Sequence, residues 1–261
     1  MSEIKRIFHR SVPIDYVSEV EALSHILRLM DKRFTGQVVT LTIQMYIAAR
    51  RDTSFLNTLN NASLVLPEST GLKLYSEVIP PRFGKIPGGV YLAKKAVSLC
   101  AETGKRVAIF GSNPTNRNLA RDNLRREFKY PNIHTIDGEY SFASPTDSLL
   151  VADQVDLLSP DLTIMAGNEV YADQWIYDWI LKKGAHAGVV GNYGQTIDYW
   201  AGTRWVPSED LHRLGLSWAL MLTRRTPERR KIYIKALMTL ARLGIEDILA
   251  QATHKERENY S

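Results

Sequence analysis

One pattern recurs along this chain: a short run of β-branched or other apolar residues, then a turn, then a segment with helical spacing. Its clearest instance is Arg106–Phe110, which passes through Gly111-Ser112-Asn113-Pro114 into a helix predicted to run to about Lys129. Asn113 is a favoured N-cap, and proline suits the first helical position because its missing N–H would have no helical partner. The same signals predict strands at Gln37–Leu41, Ala62–Leu66, Asn132–Ile136, Asp161–Ala166 and Ala187–Val190. Helical patterns fall at Val17–Met30, Ile43–Arg51, Leu72–Val78, Tyr91–Glu102, Ser148–Leu157 and Ala172–Lys183, after an irregular start. Strands alternating with helices need crossover connections. The expected class is therefore α/β, with a mostly parallel Rossmann-like sheet flanked by helices. In such sheets ligands bind beyond the carboxyl ends of the strands. Thr40-Leu41-Thr42, Pro67–Gly71, Gly111–Pro114 and Gly167–Glu169 are the segments placed there.

The charge of the chain is concentrated. Its 33 Lys+Arg and 28 Asp+Glu leave +5 overall, yet Leu222–Arg242 alone holds seven basic residues and one acid. The remainder is close to neutral. We expect an α/β body over residues 1–202 and a basic helical C-terminal appendage over 203–261. Within the basic segment Ile232, Ala236, Leu240 and Leu243 recur at helical spacing, joined by Tyr233, Leu237 and Ala241, while Lys231, Lys235 and Arg242 lie towards another face. Such a helix either packs on its own body with a solvated basic face or attaches to an anionic membrane. Nucleic acid is not an expected partner, because no recognisable binding motif or aromatic interleaving accompanies the charge.

Other classes are excluded more simply. A single cysteine, Cys100, excludes a disulfide framework and a cysteine zinc site, and no two of the six histidines have metal-ligand spacing. No metal or other cofactor is expected. The opening M-S-E-I-K-R-I-F-H-R is charged where a signal peptide is apolar, and no run of 18 apolar residues exists. The expected location is cytoplasmic.

Several residues at the strand ends can carry chemistry. Gly111, Ser112 and Asn113 open a helix whose free N–H groups favour an anion, or they form a plain turn. Glu68, in P-E-S-T-G, can act as a general base or cap the following helix. Thr40 can donate to a phosphate or sugar, or serve the strand alone. Asp173 suits a first helical turn. Asp198, in I-D-Y-W-A-G, either binds a sugar hydroxyl or holds a turn. No G-x-G-x-x-G, Walker or G-x-S-x-G pattern is present.

Taken in order, these segments resemble the WecG/TagA/CpsF family of bacterial glycosyltransferases over roughly residues 35–235. Val39-Thr40-Leu41-Thr42 is similar to the family's V-T-x-N, Leu66–Gly71 to L-P-D-G-x-G, and Lys85-Ile86-Pro87-Gly88 to R-x-x-G. Ile109–Pro114 with Tyr130-Pro131 is similar to F-L-G-x-x-P followed by Y-P. Pro160-Asp161 through Asp173-Gln174-Trp175 is similar to P-D-x-x-x-x-x-G-x-P-x-Q-E-x-W. Asp198–Gly202, Leu214–Trp218 and Leu222–Arg230 complete the series.

The resemblance implies an inverting, metal-independent transferase. It would move a sugar from a UDP-sugar to a polyprenyl-diphosphate-linked sugar in surface or exopolysaccharide synthesis, peripherally on the inner face of the cell membrane. It assigns Glu68 as base with Thr40 beside it. Thr42, Lys85, Gly88, Gly111, Ser112, Asn113, Asn168, Asp173 and Asp198 become substrate contacts. Arg224, Arg225, Arg229, Arg230 and Lys231 would meet the lipid diphosphate or the anionic membrane surface. This chain departs from the family at Glu68 (an aspartate there), Thr42 (asparagine), Lys85 (arginine) and Ala172 (glutamine), and R-A-P is not recognisable near Val206-Pro207. The alternative is a non-catalytic member that binds a nucleotide-sugar or a partner enzyme at the membrane. The oligomeric state stays open, a homo-oligomer included.

Overall fold

The computed structural model describes residues 4–83, 88–138, 144–214, 216–224 and 226–259. The elements are β1 (Lys5–His9), β2 (Val12–Tyr16), α1 (Glu19–Asp31), β3 (Gly36–Leu41), α2 (Ile43–Ala49), α3 (Thr53–Asn61), β4 (Leu64–Pro67), α4 (Thr70–Val78), α5 (Gly89–Thr103), β5 (Val107–Gly111), α6 (Pro114–Phe128), β6 (Ile133–Thr135), α7 (Pro145–Leu158), β7 (Leu162–Ala166), α8 (Glu169–Trp175), β8 (Val189–Asn192), α9 (Thr196–Trp200), α10 (Glu209–Arg213), α11 (Ser217–Arg224) and α12 (Pro227–Asn259). Six strands form one all-parallel sheet in the order β4-β3-β8-β7-β5-β6.

Both faces of this sheet are covered, which is why its strands read as nearly continuous apolar runs. Alternate residues serve opposite layers. Val38, Leu64, Val107, Ile164 and Val189 pack with α1, α5, α6 and α9. On the other face Ala108, Phe110, Met165 and Val190 pack with α7 and α8. Val39, Leu41 and Val65, also on that face, pack with α2, α3, α4 and β2. The chain leaves β5 through α6 on the first face towards β6, and leaves β7 through α8 on the second face towards β8. The carboxyl ends of β5 and β7, which are neighbours, are therefore a topological switch point.

Three expectations change. The start is not irregular: β1 and β2 form an antiparallel hairpin, fixed to β4 by the Asp15 carboxylate, which accepts from Val65 N at 2.7 Å and pairs with Arg6 at 2.8 Å. A helix not expected from the sequence, α3, lies between α2 and β4, with Asp52 capping Ser54 N and Phe55 N. The helix foreseen at Ala172–Lys183 opens earlier, at Glu169, and changes to π-helical turns over Ile176–Leu181.

The basic helix is also placed differently from the simplest membrane reading. Ala236, Leu240 and Leu243 are buried, and Ala236 and Leu240 pack against α2 and α4 together with Tyr233 and Leu237. Of the foreseen apolar face Ile232 and Ala241 stay exposed. The reason is that Tyr46 and Ala49 of α2 and Leu72 and Tyr75 of α4 belong to the apolar cluster that this face of α12 completes. A second apolar stripe faces outward: Ile234, Met238, Ile245, Ile248 and Leu249 are exposed, beside exposed Lys231, Lys235 and Arg242. No helix among the described residues is long and apolar enough to cross a membrane.

Candidate active site

The carboxyl edge of the sheet brings two groups of residues together. The first stands at the ends of β3, β4, β7 and β8. Thr42 caps α2, accepting from Met45 N, and its hydroxyl donates to Glu169 Oε2 at 2.7 Å. Glu68 follows β4 directly. Its Oε1 accepts from Gly89 N, the first residue of α5, at 3.0 Å, and the Thr40 hydroxyl also hydrogen-bonds to this carboxylate. The approach is close: a Cβ on Gly89 would stand 3.1 Å from Thr40 Oγ1 and 3.2 Å from Glu68 Oε1. Glu68 keeps partial solvent contact, but the surrounding protein atoms desolvate it. That burial raises its proton affinity above the ordinary carboxylate range, and nearby Glu169 adds to the rise. The Gly89 and Thr40 hydrogen bonds act the other way.

Below this layer Asn192 organises the backbone. Its Oδ1 accepts from Gly167 N at 3.0 Å, and its Nδ2 donates to Asp173 Oδ2 at 3.0 Å. Asp173 is buried and also accepts from Gln37 Nε2 at 3.1 Å. Burial pushes its pKa up to about 7, and Glu169 and Glu68 add to the effect. Gln37 Oε1 lacks a partner, so a protonated Asp173 has an acceptor at hand once the amide is turned. Folding then takes up a proton between the ordinary 3.8 and about 7, because the unfolded chain releases it first. Stability is expected to fall as pH rises through this window. Asp173→Asn should flatten that part of the pH–stability curve in denaturant titrations. An unchanged slope would count against it.

The second group stands at the switch point. Gly111 has φ +91°, and a Cβ there would lie 2.1 Å from the Ala166 carbonyl oxygen, so only glycine fits. Asn113 caps α6 through Asn116 N at 2.9 Å. Asp198 accepts from Ser112 Oγ at 2.5 Å and Asn116 Nδ2 at 2.9 Å. It thereby ties α9 to the opening of α6, in keeping with the turn-holding alternative. Arg117 is buried beneath this turn, reaches the Gly111 carbonyl at 3.4 Å and pairs with Asp137 at 2.6 Å. Across the crevice Asn168 opens α8 and is exposed. β3, β8 and β7 separate β4 from β5, so Glu68 and Gly111 follow strands about 19 Å apart along the sheet, and Gly167–Glu169, after β7, lies between them and adjoins both groups.

A strand–turn–helix edge of this kind, with a raised carboxylate at one end and helix amino termini at the other, suits group transfer from an anionic donor. The model of the glycosyl transferase WecG/TagA/CpsF family matches residues 7–255. The chain belongs to that glycosyltransferase family. A relative from Bacillus subtilis (strain 168), N-acetylglucosaminyldiphosphoundecaprenol N-acetyl-beta-D-mannosaminyltransferase, is 22% identical over 191 residues, covering 72% of each chain.

Within this WecG/TagA/CpsF chain, Thr40, Thr42 and Glu68 converge with Gly88–Gly89, and Asp173 joins them through Asn192. Gly111, Ser112, Asn113 and Asp198 form the separate group at the switch point. Lys85 and Arg225 lie outside the described residues, as does the side chain of Arg229. Arg224 sits over the Trp205 ring at 4.2 Å, and Arg230 donates to the Thr223 carbonyl. Lys231 is exposed on α12. The sequence reading missed the parts played by Glu169, Asn192 and Gly89. Asn192 was within reach of it, since an asparagine two residues beyond a predicted strand end is a recognisable turn signal. Among the described residues no group of three or more His, Cys, Asp or Glu side chains is arranged to hold a metal ion.

Proposed function

We propose that this chain transfers a sugar, with inversion and without a metal, from a UDP-sugar to a sugar carried on polyprenyl diphosphate, in bacterial surface polysaccharide synthesis. The observation that carries the reading is the Glu68 carboxylate, oriented by the Gly89 N–H and raised in proton affinity, at the carboxyl edge of a glycosyltransferase sheet. The B. subtilis relative is named for a GlcNAc-diphospho-undecaprenol acceptor, which supports the acceptor class.

The chemistry follows from the arrangement. Glu68 takes the proton of the acceptor hydroxyl as its oxygen bonds to the anomeric carbon. The bond from that carbon to the diphosphate oxygen breaks, and the electron pair leaves with UDP. Asn168, at the amino terminus of α8 beside Glu169, supplies positive potential for the departing diphosphate, and Gly111–Asn113, at the amino terminus of α6 farther along the edge, hold the nucleotide side of UDP. Thr40 fixes the carboxylate, Thr42 and Asp198 set the walls around the sugars, and Asp173 supports the site from below through Asn192. The test is transfer of label from UDP-N-acetylmannosamine to GlcNAc-diphospho-undecaprenol by the purified chain. UDP binding with no turnover on this and related acceptors would favour the non-catalytic reading.

Residues 203–261 are proposed to attach the body to the cytoplasmic membrane face through the outward stripe of α12. Five exposed apolar side chains beside Lys231, Lys235 and Arg242 suit an anionic lipid surface. Met238→Glu with Ile245→Glu should abolish co-sedimentation of the full chain with phosphatidylglycerol vesicles. Replacing the three cations with Gln should weaken it about five-fold per charge at low salt. Undiminished binding by the double-Glu variant would exclude this stripe.

A further inference from the structure

The histidines show no pattern in the sequence, yet the fold carries one of them, His212, to the edge of the candidate site. α10 lies over the amino terminus of α5. It is held there by Lys95 of α5, which pairs with Glu209 at 2.6 Å and with Glu19 of α1, and by the Tyr91 hydroxyl, which donates to the Pro207 carbonyl. His212 thereby packs on Gly88, the N-cap of α5, with its ring 5.6 Å from that of Tyr91. Gly88 has φ −63°, so its backbone makes no demand for glycine. What excludes a side chain is the imidazole: a Cβ on Gly88 would stand 2.6 Å from His212 Nε2 and 2.7 Å from Cε1. The next residue, Gly89, donates the 3.0 Å hydrogen bond to Glu68. An unbroken line of contacts thus runs from the α10 imidazole to the carboxylate.

We propose that His212 is a positioning residue: its ring clamps Gly88 so that the Gly89 N–H stays aimed at the Glu68 carboxylate. The inference rests on the reading of Glu68 as the base. Glu169, Asp173 and Tyr193 share the electrostatic surroundings of Glu68, and Glu209 faces His212. None of these is altered by a change at His212. Loss of the clamp loosens the Gly89 backbone hydrogen bond that favours the charged carboxylate. Glu68 then keeps its proton to higher pH, and the acid limb of kcat moves upward. Burial holds His212 below its ordinary range, against the pull of Glu209, and the His212→Phe variant, which has no titrating nitrogen, separates its own ionisation from the limb.

The experiment is the pH profile of sugar transfer from UDP-N-acetylmannosamine to GlcNAc-diphospho-undecaprenol by the full chain. His212→Ala is expected to raise the midpoint of the acid limb by about one pH unit. Gly88→Ala should raise it in the same sense by pushing the ring away. His212→Phe should keep the wild-type limb, since a ring restores the contact without a titrating nitrogen. A limb left in place in both His212→Ala and Gly88→Ala, in variants that melt as the wild type does, overturns the proposal. So does a limb that stays displaced in His212→Phe. Glu68→Gln in the same assay separates the two ideas. If it transfers normally, the base assignment falls and the inference with it. If it is inactive while the His212 limb does not move, only the inference falls.

Discussion

Glu68→Gln is expected to lower kcat for sugar transfer by a factor of about 10² to 10⁴, the usual range for removing a positioned general base. The amide keeps the size of the side chain, and its oxygen still accepts from Gly89 N, so the site should retain its shape. UDP affinity, which the proposed function places at the switch point, should change little. Stability should hold or rise, because the variant no longer keeps a carboxylate that burial and Glu169 disfavour. The pH profile is a second readout: the acid limb belonging to Glu68 should vanish in the residual activity. Glu68→Asp withdraws the carboxylate by about one methylene and is expected to fall between the two. Wild-type turnover by Glu68→Gln would remove Glu68 as the base and move attention to Glu169, the other carboxylate of this group.

The class of fold was legible because each strand of a doubly covered parallel sheet is its own signal. Q-V-V-T-L, V-A-I-F-G and L-T-I-M-A are apolar runs bounded by turns, and their order requires crossovers. The hairpin was not legible. β1 and β2 are short, and they are fixed by the Asp15 bridge to Val65, a contact 50 residues away in sequence. α3 has a weakly apolar sequence, T-S-F-L-N-T-L-N-N, and owes its place to Phe55 and Leu59 packing under the sheet. The site divided in the same way. Glu68, Thr40 and Gly111 were visible because they end strands. Glu169 and His212 depend on which strand ends become neighbours and on where α10 folds back, and neither is written in local spacing. The basic helix shows a further limit. Its periodicity was real, but it marked the face that docks on the body, while the outward stripe of Ile234, Met238 and Ile245 follows another row of the same helix.

That docking leads to the second large effect, at Asp247. Asp247 lies on the inner side of α12, close to the row formed by Ala236, Leu240 and Leu243, and is 5% exposed. Its carboxylate meets Arg50 of α2 at 3.0 Å and Arg10 of the hairpin turn at 3.2 Å, and it accepts from the Tyr75 hydroxyl of α4. Three separate elements are thus tied to α12 by one side chain. Burial opposes the charge, but the Tyr75 hydrogen bond and Arg50 outweigh it and hold the carboxyl below its usual range. Asp247→Ala removes the anion and leaves two guanidinium groups and a phenol facing one another. Breaking a buried pair from one side costs about 3–5 kcal/mol, and the partial exposure of Arg10 and Arg50 places this case near about 3. For a chain of this size that lowers the melting temperature by roughly 6–12 °C. Because the stabilising carboxylate has a depressed folded-state pKa, its contribution is present above the unfolded value and is lost as pH falls through the folded one. The gap between wild type and Asp247→Ala should therefore close in acid. Limited proteolysis should cut first after Lys or Arg between residues 224 and 242, where α12 has come away from α2 and α4. A variant that melts with the wild type and resists trypsin in that segment would show that Ala236, Leu240 and Leu243 hold α12 without the ion cluster.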